Sequence, residues 1–171
     1  MKVSRVIKRA FPSAAFAVAL LLGSLCTSGI AAADDYRVGP LRIAQPWAMA
    51  TPKGAKVGAG YMKITNDGAQ PDRLVAITSP AARNVALHDM VKEGDVVKMR
   101  ALDQGLEIGP GETVELASGG KHIMFEQLTA GLVAGERVKA KLTFEKAGSI
   151  DVEYAVQPLG SRSPAAPAHH H

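Results

Sequence analysis

Short runs of alternating or β-branched residues, each closed by a turn signal, recur along most of this chain and leave little room for a helix. Tyr36–Ile43 and Ala59–Thr65 are the first two, and Asn66-Asp67-Gly68 ends the second. Leu74–Thr78 stops at Ser79-Pro80. Asn84–Met90, Val96–Arg100, Thr113–Ala117, Lys121–Phe125, a run from Arg137 to about Phe144, and Ile150–Val156 follow. Pro110-Gly111 and Gly119-Gly120 are further turns, because glycine reaches positive φ and proline presets a bend. A short strand cannot bury its apolar face alone, so eight or nine of them must stack or close on one another. The expected fold is all-β, an antiparallel β-sandwich or barrel, with no internal repeat.

Residues 1–33 read as a secretory signal peptide. Lys2, Arg5, Lys8 and Arg9 form a basic start, Ala14 to Leu22 an apolar middle, and Ala31-Ala32-Ala33 a small-residue cleavage site before Asp34-Asp35. The apolar middle is too short to span a bilayer, and no later stretch approaches the roughly 20 apolar residues a spanning helix needs. The expected location is therefore the periplasm, with no membrane span after cleavage. Cys26 invites comparison with a lipoprotein anchor, but Leu25 before it is bulkier than a lipobox takes at that place. The expected organisation is a signal peptide over 1–33, one β-sandwich domain over 34–158, and a disordered Ser/Pro/Ala-rich tail over 159–171.

Removing the signal changes the charge. The whole chain has 20 Lys and Arg against 16 Asp and Glu, a net +4, and residues 1–33 hold four of the basic residues and none of the acidic ones. The mature chain is formally neutral and shows no basic stripe, so nucleic acid is not expected as a partner. Cys26 is the one cysteine and leaves with the signal. That excludes a thiol oxidoreductase and a blue-copper electron carrier, whose site requires a cysteine thiolate. A thiol-free chain suits soft-metal binding in an oxidising compartment, where thiolates would oxidise.

Four side chains then carry the chemistry: His88, Met99, His122 and Met124, spaced His-x10-Met-x22-His-x-Met. Apart from His169-His170-His171, His88 and His122 are the chain's only histidines. Imidazole with thioether is a ligand set for Cu(I), a soft ion, rather than for magnesium or calcium. A two-residue hairpin loop at Glu93-Gly94 would set His88 directly opposite Met99, with Cβ atoms about 4.5–5.5 Å apart. A loop at Gly94-Asp95 would instead pair Met90 with Met99. Either register leaves an imidazole and a thioether on one face. His122 and Met124 are two apart, so a strand projects both to one side, near the sheet end marked by Gly119-Gly120. Each pair alone also reads as ordinary packing, since methionine is a common core filler. If the two pairs meet, they make a four-coordinate His2Met2 site.

The same residues resemble the PCuAC family of periplasmic copper chaperones, formerly a domain of unknown function. Its pattern is a histidine, ten residues, a methionine, about twenty-one residues, then His-x-Met. This chain has twenty-two residues in the second interval, and the Leu102-Asp103-Gln104-Gly105 turn is where an extra residue costs least. The likeness extends to Pro46-Trp47, the stretch from Gly54-Ala55-Lys56 to Tyr61, Asn66, Asp72-Arg73-Leu74, Ser79-Pro80, Lys98-Met99-Arg100, Gly119-Gly120 and Leu142-Thr143-Phe144. It covers roughly residues 40–157.

The resemblance implies a cupredoxin-like antiparallel Greek-key β-sandwich or barrel. It implies a carrier rather than an enzyme, binding Cu(I) through His88, Met99, His122 and Met124. The implied recipient is a copper protein such as a cytochrome c oxidase subunit, or another copper chaperone. Related sequences often have a basic residue where this chain has Met49, which reads as an extra soft donor or as packing. Met90 has the same two readings, Met62 reads as core, and Trp47 as a core or site-wall residue. His169-His170-His171 would offer Cu(II) a nitrogen-rich second site, or are an affinity-tag remnant, or have no role. Two other classes compete: a metal-free assembly or adhesion domain on the same scaffold, and a copper-dependent oxidase. Against an enzyme, no G-x-S-x-G or H-E-x-x-H motif is present.

Overall fold

A computed structural model of the chain describes residues 35–162. The signal peptide, its Cys26 and the terminal His169-His170-His171 lie outside the described residues. Eleven strands follow one another: β1 (Tyr36–Val38), β2 (Leu41–Met49), β3 (Val57–Asn66), β4 (Asp72–Thr78), β5 (Ala82–Glu93), β6 (Val96–Ala101), β7 (Leu106–Ile108), β8 (Thr113–Leu116), β9 (His122–Leu128), β10 (Arg137–Phe144) and β11 (Gly148–Gln157). No helix occurs among the described residues, so the fold is all-β as expected.

Period-2 alternation explains most of these strands. In β10, Val138, Ala140, Leu142 and Phe144 are buried while Arg137, Lys139 and Lys141 are exposed. Val152, Tyr154 and Val156 of β11 repeat the pattern against it. The run Tyr36–Ile43 is not one strand: Gly39-Pro40 turns it into a hairpin, with Gly39 at φ 53° and Val38 opposite Leu41. The short β7 was not expected from the sequence.

The strands form one sheet in the order β6-β5-β9-β3-β2-β11-β10-β4-β7, with β1 on β2 and β8 on β3. Every pair is antiparallel except β2 with β11, which run parallel, so the sheet is mixed. It does not lie flat. β9 and β11 are separated by β3 and β2, about 14 Å across a flat sheet at ~4.8 Å per strand. Yet Phe125 of β9 and Tyr154 of β11 meet edge to face with ring centroids 5.7 Å apart. The sheet therefore curls around one core, in which Leu41, Ile43, Ile64, Leu74, Ile123, Phe125 and Leu142 are fully buried.

Two of the quoted motif residues are buried polar groups with full partnerships. The Asn66 amide donates to the carbonyls of Gln70 (2.8 Å) and Ile108 (3.1 Å) and accepts from the Gly68 N–H. The Asp72 carboxylate accepts the N–H groups of Arg73 (2.7 Å), Lys146 (3.0 Å) and Ala147 (2.9 Å). Their chemistry is exhausted in holding loops together, because a buried polar group left unpaired is costly. Met62 is core, as its sequence context suggested, and its sulfur accepts from the Tyr154 hydroxyl at 3.2 Å.

Candidate metal centre

The β5–β6 turn decides how the hairpin's donors are arranged. Glu93 pairs with Val96, so Gly94-Asp95 is the two-residue loop, and in this turn only Gly94 has a positive φ, 62°. Tight hairpin turns need positive φ at their first central residue, which glycine adopts freely and glutamate resists. Of the two registers open to the sequence, the second is therefore realised. His88 lies opposite Ala101, not Met99, and Met99 lies opposite Met90. Met99 is a diagonal neighbour of His88.

The next strand brings the second pair in. β5 pairs with β9 so that His88 stands directly opposite His122, and Ala86 opposite Met124. Inward-facing Leu87, Ile123 and Phe125 alternate with these residues, so Ala86, His88, Met90, His122 and Met124 share the outer face. The imidazole centroids are 5.8 Å apart with the rings at 51°. Both histidines are nearly buried, at 9% and 8% exposure, whereas Met99 is 50% exposed. Alanines 59, 86 and 101 sit at the register positions beside the donors and leave shallow space between the longer side chains.

The ring nitrogens differ. Nδ1 of His122 lies 2.9 Å from the Gly120 carbonyl, which can only accept, so Nδ1 carries the proton and the Nε2 lone pair is free for a metal. Gly119-Gly120 thus does more than end a strand: it supplies the carbonyl that orients the imidazole. Nδ1 of His88 is buried without a hydrogen-bond partner among the described residues. An unpaired buried nitrogen is a cost that a bound ion would remove. Just before β9, Lys121 forms an ion pair with Asp89 at 3.5 Å.

β2 adds what the sequence did not reveal. A bulge between Ala44 and Trp47, with Gln45 at φ 52°, reverses the alternation. Leu41 and Ile43 point into the core before it and Ala48 after it, so Trp47 and Met49 turn to the outer face. Trp47 stacks on Tyr61 at 4.4 Å, and the β3–β9 register places Tyr61 next to His122. Trp47 is buried at 3% exposure against Tyr61 on this side of the sheet, and Met49 falls in the same cross-strand row as Ala59 and Met124. A proline inside a strand-like run, here Pro46, was the available signal for the bulge. Of the described methionines, all but Met62 lie on the face that carries both histidines.

Among the described residues no three His, Cys, Asp or Glu side chains are placed to hold a metal ion. The methionines that share this face with the imidazole pair offer thioethers, a donor type that suits a soft ion. A cavity of about 800 Å³ lies elsewhere, lined by Tyr36, Ser79, Lys139, Lys141 and Glu153 among others, with neither histidine nor methionine. Its lysines face carboxylates across the strands, as Lys141 does Asp151 at 3.9 Å.

Comparison with known proteins agrees with this architecture. The family model described as "Putative lipoprotein LpqE-like" matches residues 41–156. "Putative lipoprotein Lxx21020" of Leifsonia xyli subsp. xyli is 30% identical over 117 residues, 68% of this chain and 69% of that protein. Among solved structures, the copper-bound PCuAC domain from PmoF2 superposes with a TM-score of 0.63 at 27% identity, covering 73% of this chain and 98% of that domain. The solution structure of CuI-DR1885 from Deinococcus radiodurans gives 0.57 at 26% identity, over 72% of this chain and 80% of that one. PCuAC domains are thus its structural neighbours, as the ligand pattern suggested, while the matching sequence model carries another description. Because that match runs from the first residue of β2 almost to the end of β11, the chain belongs to the LpqE-like family.

Proposed function

We propose that this protein is exported to the periplasm as a copper carrier. It holds one Cu(I) through His88, Met99, His122 and Met124, and passes it toward the copper centres of cytochrome c oxidase, directly or through another copper chaperone. One observation carries the reading above the others. β5 and β9 pair so that two imidazoles with available nitrogens stand side by side on a face rich in methionine. Similarity to a copper-bound PCuAC domain and to CuI-DR1885 supports the same metal and oxidation state.

The chemistry follows from the donors. Thioethers are neutral and polarisable, so they stabilise Cu(I) without losing a proton. The imidazoles must be neutral to ligate, so acid releases the metal. Exposure rises from the histidines to Met99, and a recipient's ligands would meet the metal from the hairpin side. The role is transfer of an ion and requires no catalytic group.

The test is Cu(I) titration against a competing chelator, using the wild type and a variant with His88, Met99, His122 and Met124 all changed to Ala. The wild type should bind one equivalent, and the variant should lose at least about 10–100-fold in affinity while keeping its far-ultraviolet circular dichroism. X-ray absorption on the loaded wild type should count both nitrogen and sulfur ligands. Unchanged Cu(I) affinity in the quadruple variant ends the reading.

A further inference from the structure

The geometry points to Met90 as a further Cu(I) donor, interchangeable with Met99; the inference rests on the copper reading above. Met90 lies two residues beyond His88 on β5 and therefore on the same face, and the β5–β6 ladder pairs it directly with Met99. Sheet dimensions compare the two sulfurs. Two residues along a strand span about 6.7 Å, while diagonal neighbours such as His88 and Met99 are roughly 7–8 Å apart. Met90 is no farther from His88 than Met99 is. Ala101, directly opposite His88, leaves the intervening space open to a methionine from either strand.

The ribbon that carries the two methionines is suited to an exchangeable donor. β9 begins at His122, so Asp89–Glu93 pairs with β6 alone. A two-stranded ribbon has fewer partners to fix it than the sheet behind it. Asp89, Glu93, Lys98 and Arg100 all fall on the ribbon's opposite face, where Glu93 pairs with Lys98 at 2.8 Å and with Arg100. Within the ribbon, the side with His88, Met90 and Met99 carries no carboxylate. Glu126, two residues beyond Met124 on the same face, is engaged by the Asn84 amide at 2.7 Å, so the donors the ribbon adds are sulfur. Side by side, one thioether holds Cu(I) while the other gives way to a recipient's ligand. Met90 is half-buried and Met99 half-exposed, so Met99 is the one that leaves.

A double-mutant cycle tests this, with Met90→Leu, Met99→Leu and the double variant titrated with Cu(I) against a chelator. Leucine keeps the volume nearly constant. Interchangeable donors predict losses of no more than about threefold for each single variant and about thirtyfold or more for the double, a strong coupling. The sulfur count by X-ray absorption should be unchanged in Met99→Leu. Met99→Leu as weak as the double variant, with Met90→Leu like wild type, overturns the inference, as do additive losses. Those outcomes leave the copper reading standing; a wild type that takes up no Cu(I) removes both.

Discussion

His122 enters the site with one nitrogen already assigned, because the Gly120 carbonyl holds its Nδ1–H, while His88 has a buried Nδ1 with no hydrogen-bond partner among the described residues. One ring is oriented by the fold itself, and on the proposed reading the other would gain a partner from the metal. A different single-residue balance sits in the core. Tyr154 is fully buried, donates only to the Met62 sulfur, and burial pushes its phenol above the ordinary value of 10.0. The unfolded chain ionises this phenol above about pH 10 and the native chain resists doing so. Its contribution is therefore complete below that pH and falls away as pH rises further. Tyr154→Phe should cost less than about 1 kcal/mol at neutral pH, since a thioether is a weak acceptor. It should also flatten the alkaline loss of stability. Urea midpoints at pH 8 and pH 10.5 check this; an equal drop in wild type and variant would contradict it.

Strands, rather than residues, decide which side chains meet. The β2 bulge at Gln45 turns Trp47 and Met49 to the face that carries both histidines, and the Gly94-Asp95 turn sets Met90 against Met99. β3 supplies the floor by lying close to β9. A Cβ added at Gly60 would stand 2.7 Å from Cε2 of Phe125, a ring locked against Tyr154. At Gly58 the closest approach would be to the flexible end of the Leu132 side chain, at 2.8 Å, with Leu128 in ordinary contact at 3.5 Å. Gly60→Ala should therefore destabilise by about 1–3 kcal/mol, as overpacking does, and Gly58→Ala by distinctly less. Equilibrium denaturation of both variants measures the difference, and equal losses would show that Phe125 yields as easily as Leu132.

At the scale of the whole molecule, the curled sheet brings distant segments to one face, and on the proposed reading export would determine where that face works. The chain carries its four surplus positive charges in residues 1–33, so cleavage after Ala33 would leave a formally neutral chain. A second, competing form would be anchored by acylation at Cys26. We expect the first, with Leu25 disfavouring acylation. Intact mass of the exported protein should match a chain starting at Asp34, and Cys26→Ser should leave its release unchanged. A lipid-modified chain starting at Cys26 would establish the anchored form.

Much of this was legible in the order of residues. Alternation is a property of the extended backbone itself, so His122 and Met124 sharing a side, and the all-β character, followed from sequence. The hairpin register was also within reach, because only glycine takes the first loop position cheaply. What sequence could not supply was the neighbourhood of β5 and β9. His88 and His122 are 34 residues apart, and nothing local makes them adjacent. Their pairing follows from burying Leu87, Ile123 and Phe125 in a core shared with β10 and β11. The sequence by itself determined the donor types and the face each one takes within its strand. Only the tertiary structure decided which donors stand together, because strand neighbours are chosen by the packing of one common core and not by the residues between them.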